Sequence, residues 1–158
     1  MASGWVKRHE KMISRKGKYA LRSALFLARK HGCGPVSVDK IAAAEGISRK
    51  FLETIMQELK KGGILHSHRG KCGGYTLAES PQYLTLGRIL RISEGTLAPV
   101  RCIGTNERCG DCPPDGLCLI RLAMQEVSEA ISRVLDYKTL DGLLTDGLAT
   151  EAPLMFHI

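Results

Sequence analysis

VSVDKIAAAEGISRKFLETIMQELKKGGIL, residues 36–65, carries two short helical patterns divided by one glycine turn. In the first, Ser37 is a capping residue and Asp39 falls in the opening turn, where negative charge is favoured. Ile41, Ala42 and Ala43 supply its inward face until Gly46 stops the run. In the second, Ser48 is the cap, and Phe51, Leu52, Ile55, Met56 and Leu59 form one continuous apolar stripe at helical spacing. The opposite face holds Arg49, Lys50, Glu53, Gln57 and Lys60, and Gly62-Gly63 ends the helix. A short helix, a glycine-containing turn and a second helix with a polar outer face is the order of a helix-turn-helix.

The pattern extends in both directions. Upstream, Ala20, Leu21, Ala24, Leu25, Leu27 and Ala28 recur at helical spacing between Gly17 and His31, and Gly32 with Gly34-Pro35 then breaks the run. Downstream, Ile64 to His68 and Tyr75 to Leu77 flank Arg69-Gly70-Lys71-Cys72-Gly73-Gly74 as a glycine-rich hairpin, a wing. Thr85 caps a further helix through Leu86, Ile89, Leu90 and Ile92, closed by Glu94-Gly95. Past a cysteine-rich loop, Ile120, Ala123, Val127, Ala130 and Val134 alternate steps of three and four, the seam of a helix that pairs with another helix. Pairing with a second copy is the expectation, since two-fold pairs dominate homo-oligomers; packing onto its own domain is the alternative.

The fold class expected is therefore mainly α with a small β-hairpin wing. A winged helix-turn-helix occupies residues 12–80, and a linker helix, cysteine loop and long dimerisation helix occupy 81–145. A short helix is expected over residues 139–144, a disordered basic arm over 1–11 and a frayed tail over 146–158. No apolar stretch approaches the roughly 20 residues of a membrane span, and residues 1–11 have no apolar signal core, so a cytoplasmic protein is expected.

Charge separates the halves. Residues 1–78 hold 16 Lys/Arg against 5 Asp/Glu, a charge of +11, whereas residues 79–158 hold 7 against 11, a charge of −4. A basic half joined to an acidic one points to a polyanion partner, here double-stranded DNA. The polar face of the second helix suits a major groove, and Arg49 and Lys50 sit at its N-terminal end, where free N–H groups also favour a phosphate. Glu53 has two readings of equal weight, acceptor from a cytosine amino group or surface partner of a neighbouring cation. Candidate DNA-contacting residues are thus Ser48, Arg49, Lys50, Glu53 and Gln57 on the helix, with Arg69 and Lys71 on the wing. His66 and His68 read as half-exposed strand residues, not metal ligands.

Six cysteines divide into the isolated Cys33 and Cys72 and the series Cys102-x6-Cys109-x2-Cys112-x5-Cys118. Where thiols stay reduced, such a dense group in a Gly/Pro-rich loop points to a metal site or redox switch rather than a structural disulfide. Clustered thiolates repel one another, and a bound metal or iron–sulfur core offsets that repulsion while ordering the loop.

ISRKGKYALRSALFLA at 13–28 and residues 36–65 resemble the winged-helix regulators of the IscR, NsrR and CymR type. HSHRGKCGGYTLAESPQYLTLGRILRISEG at 66–95 is the more specific match, through its RGxxGGYxLA wing and its leucine-rich helix ending in EG. The resemblance covers about residues 12–145. It implies a bacterial, homodimeric DNA-binding protein, more often a repressor, on a pseudo-palindromic operator with half-sites about one helical turn apart. It also implies three cluster-ligating cysteines, matching Cys102, Cys118 and either Cys109 or Cys112.

Two departures bear on the fourth ligand. Where IscR-like members place a histidine after the last cysteine, this chain has Arg121, which stays protonated; where NsrR-like members place an aspartate on the first helix, it has Lys18. The surplus cysteine is the replacement, so Cys102, Cys109, Cys112 and Cys118 are read as an all-cysteine set for an iron–sulfur cluster, two-iron or four-iron. The same thiolates would suit tetrahedral zinc, a reversible Cys109–Cys112 disulfide or no ligand at all. Alternatives for the whole chain are a cluster-free thiol-redox or zinc-binding regulator and, from another class, an iron–sulfur electron carrier whose basic half docks an acidic protein. With no nucleophile–base pair, phosphate loop or nucleotide motif in the chain, an enzyme is not expected.

Overall fold

The computed structural model describes residues 13–70, 72–104 and 118–151. The arm over 1–11, Lys71, Cys109, Cys112 and the residues past Glu151 lie outside these. Helix α1 (Arg15–Arg29) starts at Ser14, whose hydroxyl accepts from the amides of Lys16 and Gly17. Helices α2 (Val38–Glu45) and α3 (Arg49–Lys61) follow, capped at Ser37 and joined through Gly46, whose φ of 62° reverses the chain as an L side chain rarely does. Strands β1 (Leu65–His68) and β2 (Gly74–Leu77) pair antiparallel, with Leu65 opposite Leu77. Helix α4 (Leu86–Glu94) is capped by Thr85; the short α5 (Arg101–Gly104), the long α6 (Leu119–Tyr137) and α7 (Leu140–Glu151) complete the described chain.

One core joins the helix-turn-helix, the base of the wing and α4. Ala20, Ala24 and Leu27 of α1, Leu52, Ile55, Met56 and Leu59 of α3, Ile64 and Leu65 before and in β1, and Ile89 of α4 are all buried in it. The α3 stripe is narrower than the periodicity suggests. Phe51 is 36% exposed and lies edge-on to Tyr19 with ring centroids 5.9 Å apart, because the stripe at Leu52, Ile55, Met56 and Leu59 already fills the space against α1 and α4. Likewise Ile41 alone in α2 is fully buried, while Ala42 is half-buried and Ala43 faces solvent.

The C-terminal segment differs more from expectation. Helix α7 runs through Glu151 rather than stopping at Leu144, so the expected tail from 146 is partly helical. It persists because it is docked: Leu140 is fully buried, its amide donates to the Leu84 carbonyl at 2.9 Å, and Thr139 bridges Thr85. The chain thus runs out along α6 and returns to the winged domain.

Helix α6 is tied to α4 by a forked ion pair, Arg91 Nη1 to Asp136 Oδ1 at 2.5 Å and Nη2 to Oδ2 at 2.8 Å. Donation from Arg91 holds the Asp136 carboxyl below its ordinary value, against a smaller opposing effect of burial. A carboxyl lowered by folding adds stability that is present above its unfolded value and lost as pH falls through the folded one. Both side chains are over 40% exposed, so water screens the pair and its contribution is under about 1 kcal/mol. The expected result is a small stability deficit of Asp136→Asn at pH 7 that closes below the carboxylate range, followed by urea melts across pH.

Candidate nucleic-acid interface and cysteine loop

The outer face of α3 is polar, as its periodicity requires: Ser48, Arg49, Lys50, Gln57 and Lys60 are exposed and Glu53 is half-exposed. Ser48 makes no side-chain capping bond, so its hydroxyl remains available to a ligand. Arg49 is held on two sides. Its Nε donates to Glu53 Oε1 at 2.9 Å, one turn along α3, and its Nη1 lies 2.9 Å from Asp39 Oδ1 on α2. The Glu53 hydrogen bond and the Asp39 charge together hold the guanidinium above its ordinary pKa. Of the two readings of Glu53, the ion pair is the arrangement present.

The wing stands beside this face. Val36, just ahead of α2, exchanges both backbone hydrogen bonds with Tyr75 of β2, at 3.0 and 2.8 Å, so the hairpin is fastened to the start of the helix-turn-helix. Arg69 is exposed at the tip and Gly70 takes a φ of 109°; Lys71, the second wing cation, lies outside the described residues. His66 and His68 are exposed, and His68 Nε2 sits 3.0 Å from Thr76 Oγ1, a cross-strand pair in keeping with a strand role. An open groove lined by Arg15, Tyr19, Ser48 and Phe51 adjoins the N-terminus of α3. Of these four only Ser48 belongs to the expected contact set. Phe51, whose spacing fits the core stripe, lines this groove instead.

Elsewhere in the domain, α4 is locked to the start of α1. The Ser14 amide and hydroxyl both donate to Glu94 Oε1, at 3.0 and 2.7 Å, and a Cβ on Gly17 would stand only 2.0 Å from that oxygen. Glycine at 17 is what lets the carboxylate seat there. From Glu94 the chain passes the buried Leu97 to the buried Cys102 on α5, which packs against α6. Cys118 is the residue preceding α6, half-buried and making no capping bond, at a helix N-terminus that favours negative charge. The structure therefore places Cys102 on a helix that packs against α6 and Cys118 at the residue where α6 begins. Both are free thiols, whose chemistry fits an iron–sulfur core or a soft metal ion. Cys109 and Cys112 lie outside the described residues, and among the described residues no three His, Cys, Asp or Glu side chains converge as a metal site.

Helix α6 has two faces. Met124, Ile131 and Leu135 are half-buried, whereas the expected seam points to solvent, with Ile120 72%, Val127 41% and Val134 61% exposed and Ala123 and Ala130 exposed between them. No α6 residue is fully buried, so the seam does not pack onto its own domain.

A model of the Rrf2 family, described as iron-dependent transcriptional regulators, matches residues 13–146. The chain belongs to this family. NsrR of Geobacillus kaustophilus is 37% identical over 82% of the chain and 86% of its own length. The structure of CymR, the global cysteine regulator of B. subtilis, superimposes with a TM-score of 0.70 at 36% identity, covering 84% of this chain and 95% of that one. T. potens IscR superimposes with a TM-score of 0.72 at 32% identity, covering 88% and 90%. This Rrf2 chain is thus a transcriptional regulator with a winged-helix fold, mostly helical with a two-stranded hairpin. Among the described residues no helix is long and apolar enough to cross a membrane.

Proposed function

We propose that this Rrf2 protein is a homodimeric DNA-binding regulator, acting as a repressor, whose operator affinity is set by an iron–sulfur cluster held by Cys102, Cys109, Cys112 and Cys118. The observation that carries the reading is the position of two of these cysteines: Cys102 lies one short segment from Glu94 on a helix that packs against the exposed apolar α6, and Cys118 is the residue where α6 begins. A bound cluster supplies a cross-link between thiolates whose presence depends on iron supply or oxidant.

The chain's own residues do the rest. Cys102 and Cys118 hold the two ends of the loop; Arg91–Asp136 couples α6 to α4, and Glu94–Ser14 couples α4 to α1. Displacement of the loop is thereby passed to the helices that carry the reading face. In the dimer the paired α6 seams set the spacing of two α3 helices, to match half-sites about 34–36 Å apart. Ser48, Arg49, Lys50, Glu53, Gln57, Arg69 and Lys71 contact DNA, with residues 12–80 as the reading domain and 81–145 as the sensing and pairing segment. A tenfold change in operator affinity needs only about 1.4 kcal/mol of differential binding between the two loop states.

The test is anaerobic purification with an absorption spectrum and iron and sulfide assays, followed by operator binding of loaded and stripped protein by anisotropy. The expected result is a coloured protein, loss of iron in Cys118→Ser, and at least a tenfold difference in affinity; equal affinities would refute the mechanism. A second reading, a cluster-free thiol regulator, is favoured by the similarity to the cysteine regulator CymR. Iron-free, colourless protein whose DNA binding responds to thiol oxidation would select it.

A further inference from the structure

Arg49 is the best-positioned cation on the reading face, and its surroundings decide what it can bind. It stands on the exposed N-terminal turn of α3 with two carboxylates against it, Asp39 from α2 and Glu53 from α3, each 2.9 Å away. The three side chains together carry one net negative charge, so a DNA phosphate approaching Arg49 meets two like charges at the same time as its cation. An uncharged base edge meets no such repulsion. A guanidinium has five N–H donors. Glu53 takes the one on Nε and Asp39 faces Nη1, which leaves one hydrogen on Nη1 and both on Nη2. That residual fork matches two acceptors side by side, and in the major groove guanine alone presents such a pair, O6 and N7.

From this arrangement we infer that Arg49 is a base-reading residue that selects a guanine in each operator half-site, and that Asp39 is a positioning residue that aims it. The inference rests on the DNA-binding reading above. Lys50, exposed and adjacent on the same helix N-terminus, is the residue suited to the phosphate beside that base. The tether works through orientation: a free arginine samples many rotamers and loses that freedom on binding, whereas one already anchored by carboxylates from two helices has less to lose.

The experiment is selection from a random duplex library by the full-length protein, repeated with Arg49→Lys and Asp39→Asn, with salt titrations on the selected site. Wild type is expected to enrich a fixed guanine in each half-site. Arg49→Lys keeps the charge but loses the fork, so preference at that position falls roughly 5- to 150-fold, the range spanned by one bidentate base contact, while the other positions stay enriched. The dependence of affinity on salt is expected to keep its slope, because no phosphate contact is removed. Asp39→Asn weakens preference at the same position several-fold and at no other. The inference is overturned if Arg49→Lys lowers affinity evenly across sequences or flattens the salt slope, which would make Arg49 a phosphate contact. It is overturned equally if Asp39→Asn leaves the preference for guanine at that position unchanged, which would make Asp39 a mere repulsive charge. A wild-type protein that enriches no sequence removes the DNA reading itself, and this inference with it.

Discussion

Val127→Glu is expected to yield a folded monomer whose affinity for an operator with two half-sites is lower by a factor on the order of 10²–10⁴, the advantage lost when two linked contacts become one. Val127 lies at the middle of the α6 seam and is 41% exposed, between Ile120 at 72% and Val134 at 61%. In a monomer the new carboxylate stays in water, so the melting temperature should stay close to that of a wild-type monomer, as surface substitutions usually change stability by less than about 0.5 kcal/mol. In a two-fold pair the same substitution places two like charges opposite each other in an apolar interface, each losing its hydration without a partner. Sedimentation velocity and anisotropy on intact and half-site duplexes measure both effects. A variant that sediments as wild type and binds the full operator equally well would remove the seam from the interface.

Gly74→Ala is expected to destabilise the protein by about 1–3 kcal/mol, through overpacking against parts that cannot yield. A Cβ at this position would lie 2.3 Å from the Val36 carbonyl oxygen and 2.8 Å from the Ser37 nitrogen, both backbone atoms. Relief requires the wing to move away from the 36–37 segment, which breaks the two Val36–Tyr75 hydrogen bonds and removes support from Ser37, the cap of α2. Affinity for DNA should fall with stability, because Arg69 rides on the same hairpin. Gly70→Ala is the control: no atom lies within 4 Å of its Cβ, so only the cost of its φ of 109° remains. At about 2–4 °C per kcal/mol for a chain of this size, thermal melts resolve the difference. A Gly74→Ala protein melting within a degree of wild type would show that the wing is not clamped there.

Much of this architecture is written locally. Capping residues Ser37 and Thr85 mark helix starts, Gly46 and Gly95 mark helix ends, and the glycine-rich hairpin is where its composition puts it. The polar face of α3 follows from its periodicity; the three–four spacing of α6 marks an apolar seam, and only the fold shows that seam exposed. Phe51 and Ala43 show the limit of this signal. Each has apolar chemistry at helical spacing, yet whether such a residue is covered depends on how wide the facing helices are at that point.

The sequence by itself determined the order of helix-turn-helix, wing and long C-terminal helix, the charge split between the two halves of the chain, and a thiol-rich loop of the kind that holds a soft metal group. These depend on turn chemistry, periodicity and composition, which act over a few residues. Only the tertiary structure brought Glu94 onto Ser14, Asp39 onto Arg49 and Leu140 beneath Leu84, and placed Cys102 on a helix packed against the one that Cys118 begins. Those partners are separated by many residues or belong to different helices, and hydrogen bonding and burial between them exist only once the chain has closed around its core.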